Sequence, residues 1–327
     1  MLVDGPDPAT LYRRWSETEA RGNSPCYERL TLAIAESPAA IDFLSLLPRG
    51  KRQPNLLLAA LRWFGAPVED PPATLAFLTE HAGAIRTLML NRATQTNEAA
   101  RCAVLLPGLA LLPEPLVILE LGASAGLCLL LDAWGYDWTD ATTGTLARLG
   151  SGNLRLPCTV TGGVPLPSEM PAVAARMGLE AHPVDVTDAA QRRWLQCLVW
   201  PEHTDRSARL ARALNRAAAT PPPLRQGTFP EDVPSAVEQL RRFEPTATVV
   251  VMHSAAAAYL DTDGRRRLGE TLTDLGVHRL SLEGAEVSRD LGVQGIRETD
   301  HRRFVLGLDG RALGSADPHG RDLHWWA

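Results

Sequence analysis

The run Leu116 to Leu121 (L-V-I-L-E-L) constrains this chain more than any other stretch. It is short, apolar except at Glu120, and bounded by Pro113 and Pro115 on one side and Gly122 on the other. Those are the marks of a strand buried on both faces of a parallel sheet, which exists only where helices cover it. The strand leads into Gly122-Ala-Ser124-Ala-Gly126, and Ser124 to Trp134 follows as a predicted helix. Two chemistries share this pattern. One is a G-x-S-x-G elbow presenting a nucleophilic serine; the other is a glycine-rich turn that brings backbone N–H groups up to a nucleotide-like ligand.

The chain before the strand decides between them. From residue 8 to about 105, apolar residues recur three and four apart, as in N-L-L-L-A-A-L-R-W-F and A-T-L-A-F-L-T-E-H. Asn23-Ser24-Pro25 offers a cap and a first-turn proline for one of these helices. Residues 1 to 107 therefore read as a helical cap domain, and Val117 begins the first strand of the sheet. A hydrolase elbow follows several earlier strands of its own sheet. A cofactor turn belongs after the first strand, at the crevice where strand order reverses. Glu120 points the same way, being a poor companion for a nucleophilic serine and a good acceptor for an amine or hydroxyl.

Residues 108 to 327 read as one α/β domain with an insertion at about 140 to 222. Tyr136-Asp137-Trp138 is expected as a short second strand. The insertion carries an expected hairpin, L-R-L-P-C-T-V-T-G-G-V-P-L-P, turned at Gly162-Gly163, and an amphipathic helical tract from about 189 to 218. Beyond Pro221 to Pro223, the segments L-R-Q-G-T-F, T-A-T-V-V-V-M and H-R-L-S-L-E-G read as strands. Helices separate them, and a hairpin closes the chain. This alternation indicates a doubly wound sheet.

Composition narrows the partners. A net charge of -5 offers no general attraction to nucleic acid or anionic lipid, so a small-molecule substrate is the default. Five cysteines without a C-x-x-C, and histidines without H-E-x-x-H spacing, suggest neither a disulfide framework nor a metal site. A reducing cytoplasm fits. Lys51 is the only lysine and stands in R-G-K-R-Q, which excludes a Walker-type phosphate loop. No leader pattern or membrane span is expected. A protein partner or a homo-oligomer stays open.

E-L-G-A-S-A-G resembles the first motif of class I S-adenosylmethionine-dependent methyltransferases, an acidic residue followed by G-x-G-x-G, with Ser124 at the middle glycine. Four further segments extend the likeness: the helix expected to end in T-Q-T-N-E-A-A-R (94–101), S-P-x-Y-E-x-L, P-V-D-V-T-D with W-L-x-C-x-V-W-P, and V-V-x-H-S. Over most of its length the chain is similar to a bacterial family catalogued as a domain of unknown function with a methyltransferase-like core. The resemblance implies a Rossmann-like, methyltransferase-type doubly wound sheet behind the helical domain, with S-adenosylmethionine as cofactor. Gly122, Ser124 and Gly126 would hold the cofactor, and Glu120 and Asp137 would supply acceptors. Gln95, Asn97, Glu98 and His253 would orient or deprotonate the substrate. Cys128 stands where the family carries asparagine, and G-T-F (227–229) where cofactor-binding relatives carry an acidic residue.

Plainer roles compete at several positions. Asn97, Glu98, Asp185, Asp188 and Ser254 suit helix caps, Glu283 and Glu286 suit caps or surface, and Arg206, Arg209, Arg212 and Arg216 suit a solvated helix face. Two other functions remain open. One is a cofactor-independent displacement, cyclisation or elimination in a biosynthetic pathway, and the other is a non-catalytic binding or partner subunit.

Overall fold

The computed structural model describes residues 7–298 and 302–326. They form two compact units, one made of residues up to Thr96 together with Asp188–Ala208, the other of Asn97–Thr187 and the chain from Arg209 onward. The division precedes the expected boundary at 107, because the segment after Asn97 packs into the sheet.

The first unit is helical, with α1 (Pro8–Trp15), α2 (Pro25–Glu36), α3 (Pro38–Ser45), α4 (Pro54–Trp63), α5 (Pro71–Glu80) and α6 (Ala82–Asn91). Four of these helices, α1, α2, α3 and α5, start where the sequence supplies both a cap and a proline. Asp7, Ser24, Ser37 and Asp70 accept first-turn N–H groups, and α1 to α5 each carry proline in the first turn. Two of the distant motifs meet here. Glu202 accepts from Ser24 Oγ (2.6 Å) and Cys26 N (2.8 Å), and Trp200 packs on Trp15 and Tyr27. In this unit S-P-x-Y-E and V-W-P-E serve packing.

Residues 92 to 98 form no helix, contrary to the expected helix through T-Q-T-N-E; a single 3₁₀ turn follows at Ala99–Arg101. Then come α7 (Cys102–Leu109), buried along its whole length, and α8 (Ala189–Cys197) and α9 (Thr204–Ala219), which divide the expected helical tract. The last helices are α10 (Val233–Phe243), α11 (Thr262–Asp274) and α12 (Ala285–Asp290). Among the described residues no helix is long and apolar enough to cross a membrane.

The second unit is a mixed α/β structure on one sheet. Its strands are β1 (Leu116–Leu121), β2 (Gly135–Asp140), β3 (Leu146–Leu149), β4 (Arg155–Thr161), β5 (Val173–Glu180) and β6 (Leu224–Gln226). They continue with β7 (Thr248–Ser254), β8 (His278–Gly284), β9 (Phe304–Leu308), β10 (Arg311–Ala316) and β11 (Asp322–Trp325). The spatial order is β3-β2-β4-β11-β10-β9-β8-β7-β1-β5-β6. The run β6-β5-β1-β7-β8 is parallel throughout. The chain steps outward from β1 through β5 to β6, then returns to the other side of β1 for β7 and β8. Strand order therefore reverses beside β1.

Tyr136-Asp137-Trp138 lies in the second strand, β2, as expected; β2 stands beyond β4, and the neighbours of β1 are β5 and β7. One expectation about the insertion is corrected. Gly162-Gly163 turns no hairpin, because β4 pairs in parallel with both β2 and β11.

Alternation along the strands separates two faces. Val117, Leu119 and Leu121 share one face with Met177, Leu179, Val249 and Val251, under α10, α11 and α12. The other face wraps α7, which touches β4, β8 and β9. Trp138 Nε1 donates to Ala103 O (2.9 Å), and Tyr136 OH donates to Leu131 O. The segment expected as a helix after the turn is a 3₁₀ stretch, Leu127–Ala133, broken at Leu130 and entered through left-handed Gly126.

Candidate functional site

The site builds up from the turn that ends β1. Gly122, Ser124 and Gly126 all have positive φ (67°, 51° and 66°), a region that L side chains avoid. The protein's own chain closes against both glycines. A Cβ on Gly122 would lie 2.6 Å from Ala256 Cβ, and one on Gly126 2.6 Å from Pro222 Cγ.

Four of the five N–H groups from Gly122 to Gly126 are bonded within the protein. Gly122 N donates to Leu179 O (2.9 Å), Ser124 N to Glu180 Oε2 (2.8 Å), Ala125 N to Asn97 Oδ1 (3.0 Å) and Gly126 N to Ala123 O (2.7 Å). With a broken 3₁₀ stretch behind it, this turn presents no row of donors to a phosphate. Glu180, which ends β5, also accepts from His182 N (3.0 Å).

Residues Asn97 to Arg101 tie the surrounding elements together. Asn97 Nδ2 donates to Ser124 Oγ (2.9 Å). Glu98 accepts from Ala100 N and forms a buried two-bond pair with Arg209, with Nε–Oε1 at 2.7 Å and an Nη–Oε2 contact at 3.1 Å. Arg101 donates to Pro318 O (2.8 Å) and Ser254 O (3.2 Å), which brings the turn between β10 and β11 to the carboxyl end of β7.

Glu120 lies buried on the α7 face, and its Oε2 has no hydrogen-bond partner among the described residues. Burial, and next the neighbouring Cys128, push its carboxyl well above the usual range, against an opposing pull from Arg101. A hydrogen bond with Cys102, and then burial, raise the Cys128 thiol in turn.

His253 stands in register with Leu121 and so belongs to the opposite face from Glu120. Its exposure is 0%. Nδ1 meets Glu283 Oε1 at 2.8 Å, and the same oxygen accepts Ala256 N and Ala257 N at 3.0 Å each. With that oxygen serving as acceptor, Nδ1 is the protonated ring nitrogen. His253 Nε2 and Glu283 Oε2 have no partner among the described residues.

The structure brings Glu120, Gly122, Ser124, Gly126, Asn97 and Glu98 together, and places His253 at the same sheet edge on the other face. It does not bring Asp137 to the turn. Alternation along β2 turns Asp137 away from the face carrying Tyr136 and Trp138. There Arg155 (2.7 Å) and Arg148 (3.2 Å) bind it, and the Arg155 hydrogen bond holds its carboxyl below the usual range. Gln95 belongs to the helical unit.

Sequence reasoning missed Glu180 and Arg101, and assigned Arg209 to a solvated face. The G-L-E ending of β5 carries the only signal for Glu180, and the insertion hides it. A groove of about 510 Å³ lined by Arg303, Asp322, His324 and Trp326 includes none of these residues. Among the described residues no group of three or more His, Cys, Asp or Glu side chains could hold a metal. Comparison with curated proteins and with solved structures gives no match. A family model described as "Uncharacterized protein conserved in bacteria (DUF2332)" matches residues 9–325, and the chain belongs to that family.

Proposed function

We propose that the sheet unit has a Rossmann-like core that binds S-adenosylmethionine, and that the protein transfers its methyl group to a small molecule. The observation that carries this reading is the strand order. In open α/β sheets ligands bind where the order reverses, at the carboxyl ends of the strands, and β1 and β5 place the glycine turn and Glu180 there.

The residues fit a cationic nucleoside better than a nucleotide. Each Glu180 oxygen accepts one backbone N–H and keeps a second lone pair for a ribose hydroxyl. The uncommitted oxygen of Glu120 suits an ammonium group. A turn with four of its five N–H donors already bonded within the protein suits a pyrophosphate poorly, which disfavours NAD and ATP. The cofactor, when bound, supplies an electrophilic methyl group; the chain's task is alignment and acceptance of a proton. Glu283, bonded to His253 Nδ1, accepts the Ala256 and Ala257 N–H groups and so fixes the backbone that packs on Gly122; the buried His253 Nε2 is the proton acceptor this reading assigns to the methyl-transfer step.

Calorimetric titration with S-adenosylmethionine, S-adenosylhomocysteine, NAD and ATP tests the reading. Micromolar binding of the first two, no heat from the others, and at least about tenfold weaker binding by Glu120→Ala are expected. A folded wild-type protein that binds neither adenosyl compound would overturn it.

A further inference from the structure

Ser124 is the one non-glycine among the three positive-φ residues of the turn, and the position where a G-x-G-x-G pattern would have glycine. A left-handed conformation at a residue with a Cβ is disfavoured, so something must hold it. The only assignment of the Asn97 amide that satisfies both neighbours has Oδ1 accepting from Ala125 N and Nδ2 donating to Ser124 Oγ. The buried Asn97 thus grips the turn at the strained residue and at the next one. Glu180 takes the Ser124 N–H from the other side. Asn97 can reach the turn because residues 92 to 98 are not helical.

We infer that Asn97 is a positioning residue that holds Ser124 in the left-handed conformation, doing for a serine-containing turn what glycine does unaided. The segments T-Q-T-N-E and E-L-G-A-S-A-G then form one device, in which the asparagine answers for the missing middle glycine. With both ends of its amide committed to the turn, Asn97 acts through the turn and not on the substrate. The inference relies on the proposed adenosyl reading only for its ligand readout.

Four variants test it: Asn97→Ala, Ser124→Gly, and Asn97→Ala combined with Ser124→Gly or with Ser124→Ala. Two quantities are read: affinity for S-adenosylhomocysteine by calorimetry, and amide hydrogen exchange at residue 124, whose N–H is bonded to Glu180. Asn97→Ala is expected to weaken binding about tenfold and to expose the residue 124 amide. Adding Ser124→Gly restores both, and adding Ser124→Ala restores neither. Ser124→Gly alone is the reference for that double variant, and in its background Asn97→Ala is expected to change neither quantity further. Wild-type behaviour of Asn97→Ala, failure of glycine to rescue, or equal rescue by alanine would each overturn the inference. If wild type binds no S-adenosylhomocysteine, the methyltransferase reading falls, and the exchange pattern alone decides for or against the Asn97 role. If Asn97→Ala does not fold, the milder Asn97→Ser takes its place in all comparisons.

Discussion

Glu120 is a carboxyl group placed where its charged form is disfavoured, and this has a measurable sign. Its pKa in the folded protein is raised well above 4.5 by burial. Below about pH 4 both folded and unfolded states are protonated. As pH rises from there, the unfolded chain ionises first, and the folded state loses relative stability until its own pKa is passed. Glu120→Gln removes that loss. We expect it to stabilise the ligand-free protein by about 1 kcal/mol or more at pH 8 and by almost nothing at pH 3.5, read as the shift in urea unfolding. An equal effect at both values would show that the carboxyl is not held neutral. In the proposed function a ligand ammonium relieves this penalty, so the substitution that stabilises the free protein is also expected to weaken adenosyl binding.

At the scale of elements, the site depends on α7 lying close against the sheet. Gly108 makes that approach possible, because a Cβ there would come 2.7 Å from Leu280 Cδ1 on β8. Gly108→Val should destabilise by about 1–3 kcal/mol in denaturant unfolding followed by tryptophan fluorescence, and adding Leu280→Ala should recover part of the loss. Wild-type stability of Gly108→Val would contradict the close packing. Which elements could be read from the sequence follows from the same physics. β1 and β7 were legible because they are buried on both faces and read as near-continuous apolar runs, and β8 from the alternation of Leu280 and Leu282 with polar residues. The helices of the first unit were legible from their apolar spacing and, for α2, from Ser24-Pro25. β5 was not, because V-A-A-R-M-G-L-E carries Arg176 and Gly178 along a partly exposed stretch, and Arg176 spends its charge on Asp132. The 3₁₀ stretch after the turn was hidden because L-C-L-L-L-D-A has a helix-compatible composition, while the break at Leu130 is imposed by packing. Asn97 and Glu98 could be singled out by residue type, but their extended conformation and their partners Ser124 and Arg209 are tertiary facts.

At the scale of the whole molecule, an insertion separates two strands that are neighbours in space. β1 and β5 lie side by side, yet β2, β3 and β4 intervene in the chain and join the sheet at its far end. This arrangement makes Glu180 an acidic residue beside the glycine turn, and leaves Asp137, on the next strand in sequence, held by two arginines on β2's face away from Tyr136 and Trp138. Glu180 and Asp137 are therefore the two carboxylates whose roles differ in the proposed site. The direct measurement is the affinity of S-adenosylhomocysteine for wild type, Glu180→Ala and Asp137→Ala under one set of conditions. Micromolar binding by wild type is expected, unchanged within about twofold in Asp137→Ala and weakened by at least about tenfold in Glu180→Ala. Loss of binding in Asp137→Ala with retention in Glu180→Ala would contradict the proposed site.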